Sequence, residues 1–572
     1  MTTSTRTSST RSGDTGRTPP SLINELWRGT VRWDLLTPFP EQDGAERRRG
    51  DEACAELAAF LRDRVDPTRI DEDRDLPAEL VAELRARGYH RMFRPAGEGG
   101  LGLSYANMFR VTETAASWSV PLALMFGKAN ALSPAAYLPL IPPGALNDRL
   151  HRHLREGTFG GSADTEPTGA GGDTRTTTAT LDPTGTTYRL DGEKTYITNG
   201  TIADLYLITA TLRENGTDRV SAFFVDADSP GFEVVARHDL IGLHGSPNAH
   251  LRLSGVEVPT EYRMSDVHAA RDDVRRVTYH GRTLAVVPAA VALTRMCAYW
   301  SREFVNRRRI DGRPLGGYDE VQHMVAETVA EAYAMDALSR WTLLGGTADT
   351  LHEHAVLKNV ATMTCWRAAD RTVTLLGAEG LETAASKARR GVPALPVERA
   401  LRDARVLRVA GGVDFLIDFW CARIRLADCH YRPADEPGEP SGTGGLLTAD
   451  ERLAGHAAFV DREAAWFGAY CAGLAARHGD RAALFARQHL LVALNRIANE
   501  LLTMAVVLAR GDAGADLADV YCRAAGRRVT ALRAELDEAS DRSAVAEDWL
   551  RGDRYAALLD DVITGPAETG RA

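Results

Sequence analysis

From about Thr158 to Arg263, β-branched and aromatic residues gather in runs of about five, while the sequence on either side follows helical spacing. Side chains alternate faces along a strand but return to one face every 3.6 residues along a helix, so the change of pattern sets a β unit between two helical ones. Runs such as TTYRLDGEKTYITNG, ADLYLITATL, VSAFFVDAD and GFEVVARH are divided by Gly, Asp and Asn turns. Turns every 8–12 residues or so predict a small β-barrel or sandwich. Upstream, ACAELAAFLRDRV and LPAELVAELRARGY read as helices, followed by a Gly-rich turn and another helix near 105–127. Downstream, amphipathic stretches at 274–306, 319–345, 351–378 and 396–430 predict a four-helix bundle. The expected fold is mainly α with a central β domain. Its expected divisions are a disordered leader at 1–20, a helical domain at 21–157, the β domain at 158–268 and a helical bundle at 269–431. A Pro/Gly/Ser linker at 432–448 then leads to a helical extension at 449–572.

At 572 residues the chain is too long for a single core. Its 44% apolar and 26% charged content is that of a soluble globular protein. Only four of its 68 basic residues are lysines (Lys128, Lys194, Lys358 and Lys387), and the arginines are dispersed among acids with a net charge of −10. No basic patch marks a nucleic-acid surface. The seven cysteines are scattered without a C-x-x-C pair, which predicts reduced structural thiols and no zinc site. No apolar run reads as a membrane span and the N-terminus lacks the apolar core of a secretory signal, so a cytoplasmic enzyme is the expectation.

Four local motifs carry chemistry. Asp164-Thr165-Glu166-Pro167-Thr168-Gly169-Ala170-Gly171-Gly172-Asp173 is a glycine-dense turn whose backbone N–H groups can approach a phosphate or a flavin edge. Asp191-Gly192-Glu193-Lys194-Thr195-Tyr196-Ile197-Thr198-Asn199-Gly200 follows; on its own it fits a plain β-hairpin. Arg308-Arg309-Ile310-Asp311-Gly312-Arg313-Pro314-Leu315 offers arginines suited to a bidentate phosphate contact. The last is Thr374-Leu375-Leu376-Gly377-Ala378-Glu379-Gly380, with PVERALRDARVLRVAGGV at 396–413. Taken with the order of helices and strands, these motifs resemble the acyl-CoA dehydrogenases over residues 50–430 or so. The C-terminal extension is similar in position and helicity to that of very-long-chain acyl-CoA dehydrogenases.

The resemblance implies FAD as cofactor, an acyl thioester of CoA or an acyl carrier protein as substrate, and a flavin electron acceptor or reductase as partner. It also implies a homodimer or homotetramer, with a heteromer as the alternative. Thr165 takes the place of the hydroxyl that reaches the flavin. Gly171 and Gly172 form the turn, and Gly172 stands where the family has a serine. Tyr196 takes the aromatic position that shields the flavin face, and Thr198 the hydroxyl near N5. Arg308 takes the place of the arginine that pairs with the diphosphate of the neighbouring subunit, and Gly377 belongs to the glycine frame beside it. Asp311 and Asp319 replace the family's Phe and Gln and put acids near that diphosphate.

Desaturation removes an α-proton and a β-hydride, and the family takes the proton with a glutamate. The resemblance places that glutamate at Gly411, or at Gly281 in isovaleryl-type members, with Arg282 ordering the region. Both positions are glycine here. Two side chains removed from one pocket would admit a bulkier acyl group. Alternatively Asp414, Asp418 or His280 approaches from a neighbouring position. The reaction expected is α,β-desaturation of an acyl thioester in specialised biosynthesis. A flavin-dependent oxygenase on the same fold and a non-catalytic subunit of a heteromeric dehydrogenase remain as alternatives.

Overall fold

The structure is a computed structural model. It describes residues 20–563 except 170–171, 173, 215–216, 265–271, 347, 433–445, 447, 512–513, 538–541 and 552–553. Residues 1–19 of the leader and most of the Pro/Gly/Ser linker lie outside the described residues, as does Gly171, while the Pro20 carbonyl accepts the Asp349 amide.

The N-terminal helices include Gly44–Arg64, Tyr105–Ala116 and Val120–Ala131. Their starts are set by local chemistry. Asp43 accepts from the amides of Ala45 and Glu46, and Ser104 from that of Asn107, meeting donors that a first helical turn leaves open. The helix Val120–Ala131 is buried at every position but Lys128.

Eight strands follow: β1 Gly160–Ala163, β2 Thr178–Leu181, β3 Thr187–Thr198, β4 Leu205–Glu214, β5 Thr217–Asp226, β6 Phe232–Arg237, β7 Asn248–Pro259 and β8 Arg263–Met264. They join in the order β6-β7-β3-β2-β4-β5-β8, with β1 added alongside β4. Period-2 alternation sorts the side chains of β4 into two cores. Tyr206, Ile208, Ala210 and Leu212 meet Leu190 of β3 and Leu251 and Leu253 of β7 inside the unit, as in a sandwich. Leu205 and Leu207 point the other way, onto Leu146, Leu150 and Leu154 of the helix Ala145–Glu156.

The bundle begins with Asp272–Arg307, Asp319–Leu344 and Glu353–Leu376. The stretch expected to run unbroken over 396–430 is instead two helices, Val397–Leu407 and Asp414–Leu426. The break falls at Gly411 (φ +70°) and Gly412 (φ +115°), backbone conformations that glycine adopts without penalty. Lys358 fixes the turn by donating from Nζ to the Gly412 carbonyl at 2.6 Å.

Beyond the linker lie Glu451–Arg477, Gln488–Ala509, Ala515–Asp537 and Arg542–Arg551. The helix Gln488–Ala509 buries 17 of its 22 residues, so it is a core element of the whole chain. Both Gln488–Ala509 and Val274–Arg307 are long and apolar enough to cross a membrane, unlike any run noted in the sequence, but 83% and 78% of their apolar windows are buried within the protein. The N-terminal segment binds the extension to the bundle. Ser21 and the Ile23 amide donate to Glu353, Trp33 donates to Asp461, and Gly29 meets Gly468 backbone to backbone.

Candidate functional site

The turn after β1 is held by buried charge. Glu166 and Lys194 pair at 2.8 Å with both side chains essentially inaccessible. The same carboxylate accepts from the amides of Thr176 and Thr177 and from the Thr176 hydroxyl. Burial alone would raise the Glu166 carboxyl, but hydrogen bonds from Lys194, Thr177 and Thr176 prevail and bring it down to about 2. Asp164 is similarly taken by Arg175 at 2.9 Å and the Thr209 hydroxyl at 2.6 Å. Thr165 lies between these two anchored acids, and its carbonyl receives the Thr195 amide at 2.9 Å.

That last bond brings two of the motifs together. β3 carries a bulge: its register against β7 shifts between Lys194 and Ile197, and Tyr196 sits at φ +57°. An inserted residue turns the following side chains out of the pleat. Tyr196 accordingly stands 60% exposed against the His238 ring, with centroids 4.7 Å apart. Thr195 fixes that imidazole through its hydroxyl at 2.9 Å. The hydroxyls of Thr165 and Thr198 have no partner among the described residues, and the buried Oδ1 atoms of Asn199 and Asn248 are likewise unpaired. This edge therefore presents an aromatic face and uncommitted polar groups side by side. Gly172 lies on the turn's open side, where an added Cβ would meet nothing nearer than the Thr174 backbone, at 3.5 Å.

Arg308 and Gly377 form a second group at one end of the bundle. Arg308 is exposed at the end of its helix, beside a two-residue hairpin whose turn is Asp311 (φ +50°) and Gly312 (φ +76°). Asp311 is thus the Asp of an Asp-Gly hairpin turn, and Asp319 opens a helix, where an acid is favourable. The neighbouring Arg307 pairs with Glu379, which ties the hairpin to the Gly377 turn. No hydrogen bond or ion pair among the described residues joins this group to Thr165, Tyr196 or Thr198 within one chain.

The two glycines at the expected base positions have different surroundings. A Cβ on Gly411 would lie 3.3 Å from Val286 Cγ2 and 3.7 Å from Arg282 Cγ, so this position faces Arg282. A Cβ on Gly281 would fall 2.4 Å from the Ala131 carbonyl oxygen and 2.4 Å from Leu132 Cδ2. Gly281 is therefore a close contact between helices and adds no space to a pocket. Asp414 is engaged by Arg408 and by the Phe415 amide at 2.7 Å; burial raises its pKa, but the Arg408 hydrogen bond and charge bring it below the usual carboxylate range. Asp418 is wholly buried and accepts from Asn359, Asn495 and Arg496. His280 packs at a tilt against His354 and Tyr105, with ring centroids 4.3 and 5.2 Å away, and burial with Arg276 nearby lowers it to about 4. Two residues along a helix turn the side chain by about 200°, so His280 and Arg282 leave opposite sides of their helix.

Domain descriptions of one family match this architecture over more than half the chain. The acyl-CoA dehydrogenase N-terminal domain matches residues 51–138, the middle domain 161–256 and the C-terminal domain 274–415. The chain belongs to the acyl-CoA dehydrogenase family. Among its relatives, "Probable acyl-CoA dehydrogenase FadE10" of Mycobacterium tuberculosis is 27% identical, over 98% of this chain and 92% of its own length. The acyl-CoA dehydrogenase of Bacillus anthracis, solved in complex with FAD, superposes with a TM-score of 0.74 at 19% identity, over 94% of this chain and 95% of its own. Butyryl-CoA dehydrogenase of Megasphaera elsdenii superposes at 0.56 and 22% identity, over 97% of its length but 66% of this chain. One of these structures thus matches nearly the whole of this chain and the other about two thirds of it.

Several positions that join the domains are not singled out by the sequence. Asp403 accepts the Leu243 amide at 2.6 Å, and Asp71 gathers His244 and Arg402, so one helix of the bundle, the β6–β7 loop and the N-terminal domain meet there. Lys128 was also missed. The scarcity of lysine was the available signal: Lys194, Lys358 and Lys387 are all fully buried.

Proposed function

We propose that this chain binds FAD and oxidises an acyl thioester, on CoA or a carrier protein, by α,β-desaturation. The observation that carries the reading is the β3 bulge, which sets Tyr196 and the free Thr165 and Thr198 hydroxyls on one edge beside a glycine turn. These groups fit a flavin: Tyr196 covers a flat ring face, Thr165 and Thr198 offer hydrogen bonds to its polar rim, and the glycine-dense turn around Gly172 lets backbone amides approach. FAD, when bound, supplies the acceptor for the hydride that leaves Cβ. Arg308 and Gly377 sit apart from that edge in one chain and suit a diphosphate held across a homodimer. Arg282 lies under Gly411 where it can orient the acyl group.

Among the described residues no free carboxylate stands at Gly411, since Asp414 is bound to Arg408 and Asp418 is buried and bound to Arg496 and asparagine amides. That favours one second reading, a flavin-dependent oxygenase that needs no base at this position. The two differ in one experiment. The purified protein should carry an FAD spectrum, and acyl thioesters added without oxygen should bleach it. A colourless protein that FAD does not reconstitute would sink both readings. A yellow protein that no thioester bleaches, but that consumes oxygen with a flavin reductase, selects the oxygenase.

A further inference from the structure

Two cations with no ion pair among the described residues lie on facing turns of two packed helices, and one of them, Arg282, borders Gly411. The helix Val120–Ala131 runs along the start of the helix Asp272–Arg307. Gly127 touches the Leu284 backbone at one point of contact, and Ala131 and Leu132 touch Gly281 at another. Lys128 and Arg282 lie in the span between these contacts. Lys128 is the only residue of Val120–Ala131 that is not buried, and Arg282 is the only one from Gly281 to Thr294. Within these two spans the helices are reached by solvent only at Lys128 and Arg282, and both are basic.

Neither side chain has a hydrogen bond or ion pair among the described residues. The other three lysines all have partners: Lys194 has Glu166, Lys358 has the Gly412 carbonyl, and Lys387 has the carbonyls of Glu379 and Leu395. The nearby acids are engaged, Asp164 with Arg175 and Asp414 with Arg408. Desolvation takes the Lys128 ammonium down to about 8, with Asp164 opposing and Arg282 adding to the effect. Two unpaired positive charges in a half-buried space are unfavourable until an anion joins them.

We propose that Lys128 and Arg282 form an anion subsite for a carboxylate on the acyl group, so that the substrate is an acyl thioester bearing a second, free acid. The inference rests on the acyl-thioester reading above and narrows it. A carboxylate fits because Arg282 presents a planar fork and Lys128 a point charge. Phosphates of the carrier are the other possible anions, and comparison on a constant carrier separates them.

The test uses the FAD-loaded protein and spectral titration with matched CoA thioesters: succinyl with butyryl, glutaryl with pentanoyl, adipyl with hexanoyl. At least one dicarboxylic thioester should bind ten-fold or more tightly than its neutral match. Lys128→Met should bring that ratio close to one, and Lys128→Glu should invert it. Equal or tighter binding of the neutral member in every pair overturns the subsite, as does a preference that survives in Lys128→Met. A preference that depends on Lys128, found without any bleaching, keeps the subsite and refutes desaturation. No spectral change with any thioester overturns both.

Discussion

Glu353 shows how one buried side chain makes the stability of this protein depend on pH. It is wholly inaccessible, accepts from Ser21 and the Ile23 amide, and leaves Oε2 unpaired. Burial raises its carboxyl to about 7, against the lowering effect of those two donors. Between the ordinary glutamate value and 7 the folded state holds a proton that the unfolded state has released. Stability from this group is therefore complete below the unfolded value and is lost as pH rises through the folded one. The full loss is roughly 3 kcal/mol at most. Glu353→Gln keeps an acceptor for both donors and removes the charge. Its melting temperature should vary less than that of the wild type between pH 5 and 8, with the advantage largest at pH 8. Parallel pH profiles of thermal unfolding, with equal slopes in the two proteins, would rule this out.

Asp418 joins elements that are far apart in sequence. It lies on the helix Asp414–Leu426 and accepts from Asn359 of the bundle and from Asn495 and Arg496 of the extension. Replacing it with Ala would leave the part-exposed Arg496 guanidinium and the buried amides of Asn359, Asn495 and Asn499 without their acceptor, at a loss of roughly 3 kcal/mol. Asp418→Ala should lower the urea midpoint and split unfolding into two steps as the extension separates from the bundle. A single transition at the wild-type midpoint would count against this coupling. The elements themselves were largely legible. Long amphipathic spacing gave 319–345 for a helix observed at Asp319–Leu344, and alternation gave the β unit. The break at Gly411–Gly412 was not, because a positive φ there is secured by Lys358 from another helix. The bulge at Tyr196 depends on cross-strand register and was equally hidden, although resemblance to the family singles out that tyrosine. Lys128 carried no motif, and its lack of a partner exists only in three dimensions.

At the scale of the whole molecule, the extension belongs to the common core of this chain. Butyryl-CoA dehydrogenase superposes over 97% of its own length on 66% of this chain. Here the helix Gln488–Ala509 presses Leu491, Leu494, Ile497, Leu501 and Leu502 into the same core as Ala334, Leu338 and Ala422 of the bundle. The N-terminal segment packs against both, with Trp27 set edge-on to Phe467 at 4.9 Å. Removing 449–572 would expose that apolar face and also strip Asp418 and Trp33 of partners. Each large side chain so exposed forfeits roughly 1.5–3 kcal/mol, and several at once exceed the roughly 5–15 kcal/mol that usually separates folded from unfolded chains. A chain ending at residue 448 should therefore be insoluble, or soluble only as an aggregate that binds a hydrophobic dye and fails to retain FAD. Co-expressing 449–572 as a separate piece should restore part of the soluble material. A truncated chain that stays monodisperse, melts cooperatively and holds FAD would show that the extension is an accessory to the fold.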